Sequence, residues 1–317
     1  MILNIIFIIA SFLIYTTSSF LSSFEVNPFY RLYYIFAWYS YILFVDGVIY
    51  TLKQNSLIIS RTKEFIYMLF LSSGLWFLFE IFNISLKNWS YIMLPYDSKL
   101  RHFGYVISYA TVLPAIFETT ELINTLGIFR KIPKRKISIK INENKMLWIG
   151  IFLSALTIIF PKYLFPLIWA APILITEFFN LKLGTRSILR ELYGGNIRKI
   201  IEIGSAGLIC GFLWEFFNFK AGAKWIYHLP YLNDPKLFEM PIAGYLGFVF
   251  FALECYSIYN ALSYFKNGIT WEEDAQIPIN QKNTIYFYTA IAIIIIIIAA
   301  ISIKLIDKYT VKSFTIF

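Results

Sequence analysis

Charge is scarce in this chain. Of 317 residues only 15% are Asp, Glu, Lys or Arg, while 58% are hydrophobic and the mean hydropathy is +0.64. A soluble domain of this size could not cover its surface with so few polar side chains, so a water-soluble fold is excluded. Cysteine is nearly absent as well. Cys210 and Cys255 both fall inside apolar runs, which rules out a disulfide framework beyond one bridge and fits buried thiols. With only His102 and His228 there is no histidine-box iron site and no His-x-x-x-His pair for zinc or haem. The chain also lacks a Gly-x-x-x-x-Gly-Lys-Ser/Thr loop, a Gly-x-Gly-x-x-Gly turn and an Asp-rich pair for magnesium diphosphate. These gaps imply no metal and no cofactor. The net charge of +9 sits largely in short loops, where Lys and Arg set topology and meet lipid headgroups, and does not point to nucleic acid.

What is present is a series of apolar runs of membrane-crossing length, about 20 residues each. Candidate spans are 2–22, 29–50, 64–84, 102–125, 146–160, 163–180, 199–218, 240–264 and 284–306. The fifth is short and joined to the sixth only by the Pro161–Pro166 turn, so the count is eight to nine. The fold class is an all-α polytopic transmembrane helical bundle. A β-barrel would show ten-residue alternating segments instead. The N-terminal run has no Lys or Arg before it and no small-residue cleavage site, so it reads as a retained span rather than a signal peptide. The last span, with Ile293–Ile298 at its centre, reads as a peripheral lipid-facing helix. If the N-terminus is cytoplasmic, the connections rich in Lys and Arg share its side, although Lys304, Lys308 and Lys312 fall opposite. The positive-inside rule therefore predicts a multi-pass protein of the cell (plasma) membrane with its N-terminus inside.

Two stretches share one grammar at an offset of about 135 residues. Glu80 and Asn83 match Glu215 and Asn218; Trp89 and Tyr91 match Trp225 and Tyr227. Pro95-Tyr96 matches Pro230-Tyr231, Asp97-x-Lys99-Leu100 matches Asp234-x-Lys236-Leu237, and Glu118 matches Glu254. Pro28 and Tyr30 correspond more weakly to Pro161 and Tyr163. Matches that include loop residues imply duplication. Four spans per unit is an even number, so the repeats are parallel, with an expected pseudo-two-fold axis along the membrane normal. The organisation is then 1–125 as the first repeat, 126–145 as a basic cytoplasmic linker, 146–266 as the second repeat, and 267–317 as a loop with a C-terminal helix.

Acids inside apolar spans are expensive, about 2.5–3.5 kcal/mol each on insertion scales, and this chain has several. Glu80, Glu118, Glu121, Glu177, Glu215, Glu254 and Asp46 all lie in such segments. Four recur as Glu-x-x-Asn: Glu80/Asn83, Glu121/Asn124, Glu177/Asn180 and Glu215/Asn218, a spacing that puts both side chains on one helix face. These groups could lock helices together, contacts worth only about 0.6 kcal/mol on average. Alternatively, because desolvation disfavours the charged form of a carboxyl, they could donate a proton to a substrate or relay one across the membrane. We take Glu215, Glu254, Glu80 and Glu118 as candidate catalytic residues. Trp214, Lys224, Trp225, Tyr227, Asn218, Asn83, Trp89 and Tyr91 are the candidate substrate-binding set. The aromatics fit an interfacial belt or, with Lys87 or Lys224 and a proline, a shaped cap over a lipid-like substrate.

The run Trp214-Glu215-Phe-Phe-Asn218, Lys224-Trp225-x-Tyr227, Phe238-Glu239-Met240-Pro241, Gly244-Tyr-x-Gly247-Phe and Glu254 resembles a family of bacterial polytopic membrane proteins, and this likeness implies no activity. More distantly, an intramembrane Glu, an aromatic loop and a Pro-led following helix resemble membrane-embedded carotenoid cyclases and hydratases. The likeness covers about fifty residues, twice; the paired Pro-x-Glu-Glu acids of those families are single acids here, at Glu118 and Glu254. It implies acid–base chemistry on long polyenes without redox cofactors.

Three functions follow as expectations: an intramembrane acid–base enzyme acting on an isoprenoid or other lipid, a proton-coupled transporter or flippase, and a structural membrane subunit. Membrane lipids and a lipophilic small molecule are the expected partners. The second stretch has Trp214 directly before its Glu and an adjacent Lys224-Trp225, so the active site is expected at 211–254.

Overall fold

The computed structural model describes residues 2–133, 141–231, 233–272 and 284–316. Part of the 126–145 linker, including most of its basic run, lies outside these residues, as does Lys282. The helices run in chain order as α1 (Ile2–Ser23), α2 (Tyr33–Lys53), the short α3 (Leu57–Ser60) and α4 (Thr62–Leu86). After strands β1 (Trp89–Ile92) and β2 (Leu94–Pro95) come α5 (Ser98–Tyr109) and α6 (Val112–Leu126). The second half has α7 (Glu143–Ile159), α8 (Pro161–Leu164), a 3-10 turn (Phe165–Trp169), α9 (Ala171–Leu183), α10 (Ile188–Tyr193) and α11 (Ile197–Lys220). It continues through β3 (Lys224–Tyr227), β4 (Lys236–Leu237) and β5 (Met240–Pro241) to α12 (Tyr245–Ser263). The chain closes with α13 (Thr284–Leu305), a π turn (Ile306–Thr310) and β6 (Phe314–Thr315).

Among the described residues eight helical stretches are long and apolar enough to cross a membrane, with α5–α6 and Pro161–Leu183 each forming one. The protein is a polytopic helical membrane protein. The 17 residues of α7 fall just short of that length, yet α7 runs between the same two ends of the bundle. Glu143 at its start pairs with Lys182 at the end of α9 (2.7 Å), and the Ile158 carbonyl at its other end accepts from Ser85 of α4 (3.2 Å). Among the described residues nine helical stretches thus run from one end of the bundle to the other. In agreement, Asn4 of α1 bonds Thr51 at one end of α2, while β6 joins β2 at the other.

Packing in a bilayer rests on small and polar residues at helix contacts rather than on hydrophobicity. α1 follows this rule: its buried residues are Asn4, Ser11, Ser18 and Ser22, and most of its Ile, Phe and Leu residues are exposed. Between α11 and α12 a Cβ on Gly207 would stand 2.3 Å from the Phe248 carbonyl, so only glycine permits that approach. α1 packs on α2 and α7 on α9; α2 packs on α6 and α9 on α12; α4 and α11 pack on α6 and α12 respectively. The peripheral α13 leans on α4, its isoleucines largely exposed.

The fourth span is expected as one helix over 102–125; it breaks at Ala110–Thr111. Pro114 has no N–H for the preceding turn. Ser72 of α4 repairs the break, donating to the Tyr109 carbonyl (2.6 Å) while accepting from the Leu113 N–H (3.0 Å). Side chains of neighbouring helices commonly satisfy backbone freed in this way.

The C-terminus straps one end of the bundle. Asp307 accepts from both arms of Arg101 (3.0 and 2.7 Å), from Tyr105 (2.9 Å), and pairs with His102 (2.9 Å). Beyond it, Lys312 N–H bonds the Tyr91 carbonyl and β6 runs parallel to β2. Replacing Asp307 with Ala is expected to cost about 1.5–3 kcal/mol, the range for hydrogen bonds to a charged group. A lowered Tm in detergent, followed by tryptophan fluorescence, checks this; an unchanged Tm refutes it.

Candidate functional site

The aromatic stretches after α4 and α11, read from sequence as loops, are strands. β1 and β3 pair antiparallel with Trp89 opposite Tyr227 and Tyr91 opposite Trp225. The alternation Trp-x-Tyr in each is a period-2 signal, since residues two apart share a face. Each strand is tied to the helix before it by an asparagine. Asn83 donates to the Trp89 carbonyl (2.9 Å) and accepts from the N–H groups of Asn88 (2.9 Å) and Trp89 (3.3 Å). Asn218 does the same to Trp225, donating to its carbonyl and accepting from its N–H at 2.9 Å each. Both asparagines therefore position the aromatic strands and are absent from the cavity lining. Asn218→Ala is expected to cost about 1–3 kcal/mol, the desolvation penalty of the backbone groups it leaves unmet. Faster amide hydrogen exchange across 224–227 than in the wild type would register that loss; equal protection would refute it.

Under the strands, between the two halves, lies a cavity of about 490 Å³. Its walls are aromatic: Trp76, Trp89, Tyr91, Tyr105, Tyr109, Trp169, Trp214, Trp225, Tyr227 and Phe251 all contribute. Leu246 and Phe250 line it while remaining 62% and 42% exposed on the outer face of α12, so the cavity wall is continuous with the lipid-facing surface there. Arg31, Arg101 and Lys224 are its basic residues, and Glu215 is its one carboxyl among the described residues.

The two acids beneath the strands differ sharply in their partners. Glu80 Oε1 accepts from Trp76 (3.1 Å), Trp89 (3.0 Å), Tyr91 (2.6 Å) and Tyr109 (3.4 Å). All four donors line the cavity, and Glu80 stands behind them. Glu215 Oε1 accepts one hydrogen bond, from Tyr227 (2.8 Å), and its fully buried Oε2 makes none. The indole N–H groups of Trp214 and Trp225 also make no hydrogen bond of normal geometry. Burial, with the neighbouring Glu215, pushes the Tyr227 phenol well above its usual value, and Glu80 adds to burial in the same direction at Tyr91. Both phenols stay protonated and serve as donors.

Of the expected site residues, Glu215, Trp214, Lys224, Trp225, Tyr227, Trp89 and Tyr91 meet around the cavity. Glu118 and Glu254 do not line it: Glu118 faces Asp46, Glu121 and Arg61, and Glu254 is buried within α12. Glu177 is met on both oxygens, accepting from Asn180 (2.9 Å), Ser257 (2.7 Å), Ser187 (2.6 Å) and the Leu189 N–H (3.0 Å). Sequence reasoning missed Trp76 and Tyr109. Trp76 was accessible to it, four residues before Glu80 on the same helix face.

Comparison with protein-family models, curated proteins and solved structures yields no match to this chain.

Proposed function

We propose that this protein is an intramembrane acid–base enzyme acting on an isoprenoid or similar unsaturated lipid held in the aromatic cavity, with Glu215 as the proton donor. The observation carrying this reading is Glu215, the one carboxyl among the described lining residues, whose buried Oε2 accepts no hydrogen bond of normal geometry in a cavity of indole and phenol rings. In its neutral form Glu215 transfers its proton to one carbon of a C=C bond, leaving a cation on the other carbon. The faces of Trp214, Trp225 and Trp89 stabilise that cation. The Glu215 carboxylate, steadied by the Tyr227 hydroxyl, then takes a proton from a carbon next to the cation. The net change is migration of the double bond, or ring closure where a second C=C of the same chain first attacks the cation and the new cation then loses the proton; either way atoms and charge balance and no cofactor is consumed.

The two halves would be copies of one ancestral unit. Asp46 and Glu177 support that origin, since each accepts from a serine ten residues on and a backbone N–H twelve residues on. The excess of Lys and Arg at the end holding the N-terminus supports a cytoplasmic N-terminus in the plasma membrane. The test is mass spectrometry of lipids from cells expressing wild type or Glu215→Gln. A lipid product that appears only with wild type is expected; identical lipid profiles would sink the assignment.

A further inference from the structure

At the opposite end of the bundle from the cavity, three acids from α2 and α6 gather. Asp46 lies twelve residues beyond the cavity-lining Tyr34 on α2, about 18 Å along the helix. Its carboxylate is fully met: Oδ1 accepts from the Ile58 N–H (2.6 Å) and Oδ2 from the Ser56 hydroxyl (2.9 Å). Glu121 is met by cations, with Lys53 at 2.8 Å and Arg61 at 2.5 Å from its Oε1. Glu118, one turn before Glu121, is different. It is fully buried and neither of its oxygens meets an N–H or O–H donor.

The groups facing Glu118 are Asp46, Glu121 and Arg61, with Tyr41 beside it. The Tyr41 hydroxyl is engaged with Thr119 (2.8 Å), whose own hydroxyl meets the Cys210 thiol (3.3 Å). An ionised Glu118 would be a third carboxylate beside Asp46 and Glu121, buried without a single donor among the described residues, an arrangement that desolvation strongly disfavours. A proton on Glu118 removes both difficulties. It removes the third negative charge, and it supplies the donor that Asp46, the adjacent carboxylate, can accept.

We propose that Asp46 and Glu118 form a proton-binding site that shares one exchangeable proton between the two carboxyls. Lys53, 26% exposed, carries the cluster to the aqueous surface, so the proton exchanges with water on that side. The second half is built otherwise. Ser257 follows Glu254 by three residues, as Glu121 follows Glu118, and its hydroxyl donates to Glu177 (2.7 Å). A neutral donor there takes the place of Glu121, so the second half lacks the third acid of this cluster. This site does not depend on the chemistry proposed for Glu215.

Infrared difference spectroscopy of the full-length protein in liposomes tests it. Wild type minus Glu118→Gln at neutral pH is expected to show loss of one protonated-carboxyl C=O band that shifts in D2O, with the carboxylate bands unchanged. Loss of carboxylate absorption with an intact carboxylic-acid region would overturn the proposal, as would a band that does not shift in D2O. Should Glu118→Gln fail to fold, Asp46→Asn decides: removing the anionic acceptor is expected to move the Glu118 C=O band, and an unmoved band refutes the pair. Glu215→Gln serves as the separate readout for the cavity acid, so either assignment can fail alone.

Discussion

Glu215→Gln is expected to lower turnover by about 10²–10⁴-fold, the usual contribution of a positioned general acid. That fall corresponds to about 2.7–5.4 kcal/mol of transition-state stabilisation at 1.36 kcal/mol per tenfold. The fold should be retained, at a cost of no more than about 1–2 kcal/mol for the amide N–H groups that replace the buried Oε2. The amide oxygen of Gln can still accept the hydrogen bond that Tyr227 gives to Oε1, and Oε2 has no protein partner to lose. The informative measurement is therefore a pair: product formation from wild type and variant, alongside Tm in the same detergent. Lost product with a Tm lowered no further than that supports a chemical role. Parallel loss of both would reduce Glu215 to a helix-locking residue, and retained product would remove it from the mechanism. Tyr227→Phe sharpens the comparison, because it removes the one donor to Glu215 while keeping the ring face. Its effect should be smaller than that of the acid itself, since in the proposed step the proton leaves from the carboxyl and not from the phenol.

Much of this arrangement was legible in the residues, and the remainder was not, for identifiable reasons. Long apolar runs located the helices to within a few residues, because hydrocarbon thickness fixes their length. The recurrence of Glu-x-x-Asn followed by Trp-x-Tyr put the acids and aromatics together, since both spacings state which side chains share a face. What spacing cannot state is which partner arrives from a distant helix. Asp307 reaches Arg101 across 206 residues, and Ser257 reaches Glu177 across 80. The same gap explains Glu118 and Glu254. They align with each other as well as Glu80 aligns with Glu215, yet the break at Ala110–Thr111 and the length of α6 carry Glu118 away from the strands towards the opposite end. The asparagines illustrate a further limit. Their place beside the acids was readable, but their bonding to the backbone of β1 and β3 depended on those stretches being strands.

Glu80 is expected to behave in the reverse manner to Glu215, with its largest effect on stability. Glu80→Ala would strand the indole N–H groups of Trp76 and Trp89 and the hydroxyl of Tyr91, all of which point at one carboxylate oxygen. Tyr109 would lose least, because its hydroxyl also meets that of Tyr91 at 3.1 Å. A buried donor left unmet costs about 1–3 kcal/mol, and groups sharing one acceptor do not add independently, so a loss on the order of 3 kcal/mol or more is expected. Glu80→Gln should be milder, at about 1–2 kcal/mol. Its carbonyl keeps one acceptor in place, while its new NH₂ donors replace an Oε2 that has no partner to offer them. Unfolding of both variants in detergent, followed by the fluorescence of the cavity tryptophans, separates the cases. A graded fall in stability, alanine well below glutamine, with product formation by Glu80→Gln retained, would mark Glu80 as the post on which the aromatic wall is hung. Product lost in Glu80→Gln at near-normal stability would instead make both acids chemical partners, and the asymmetry between four hydrogen bonds and one would cease to distinguish them.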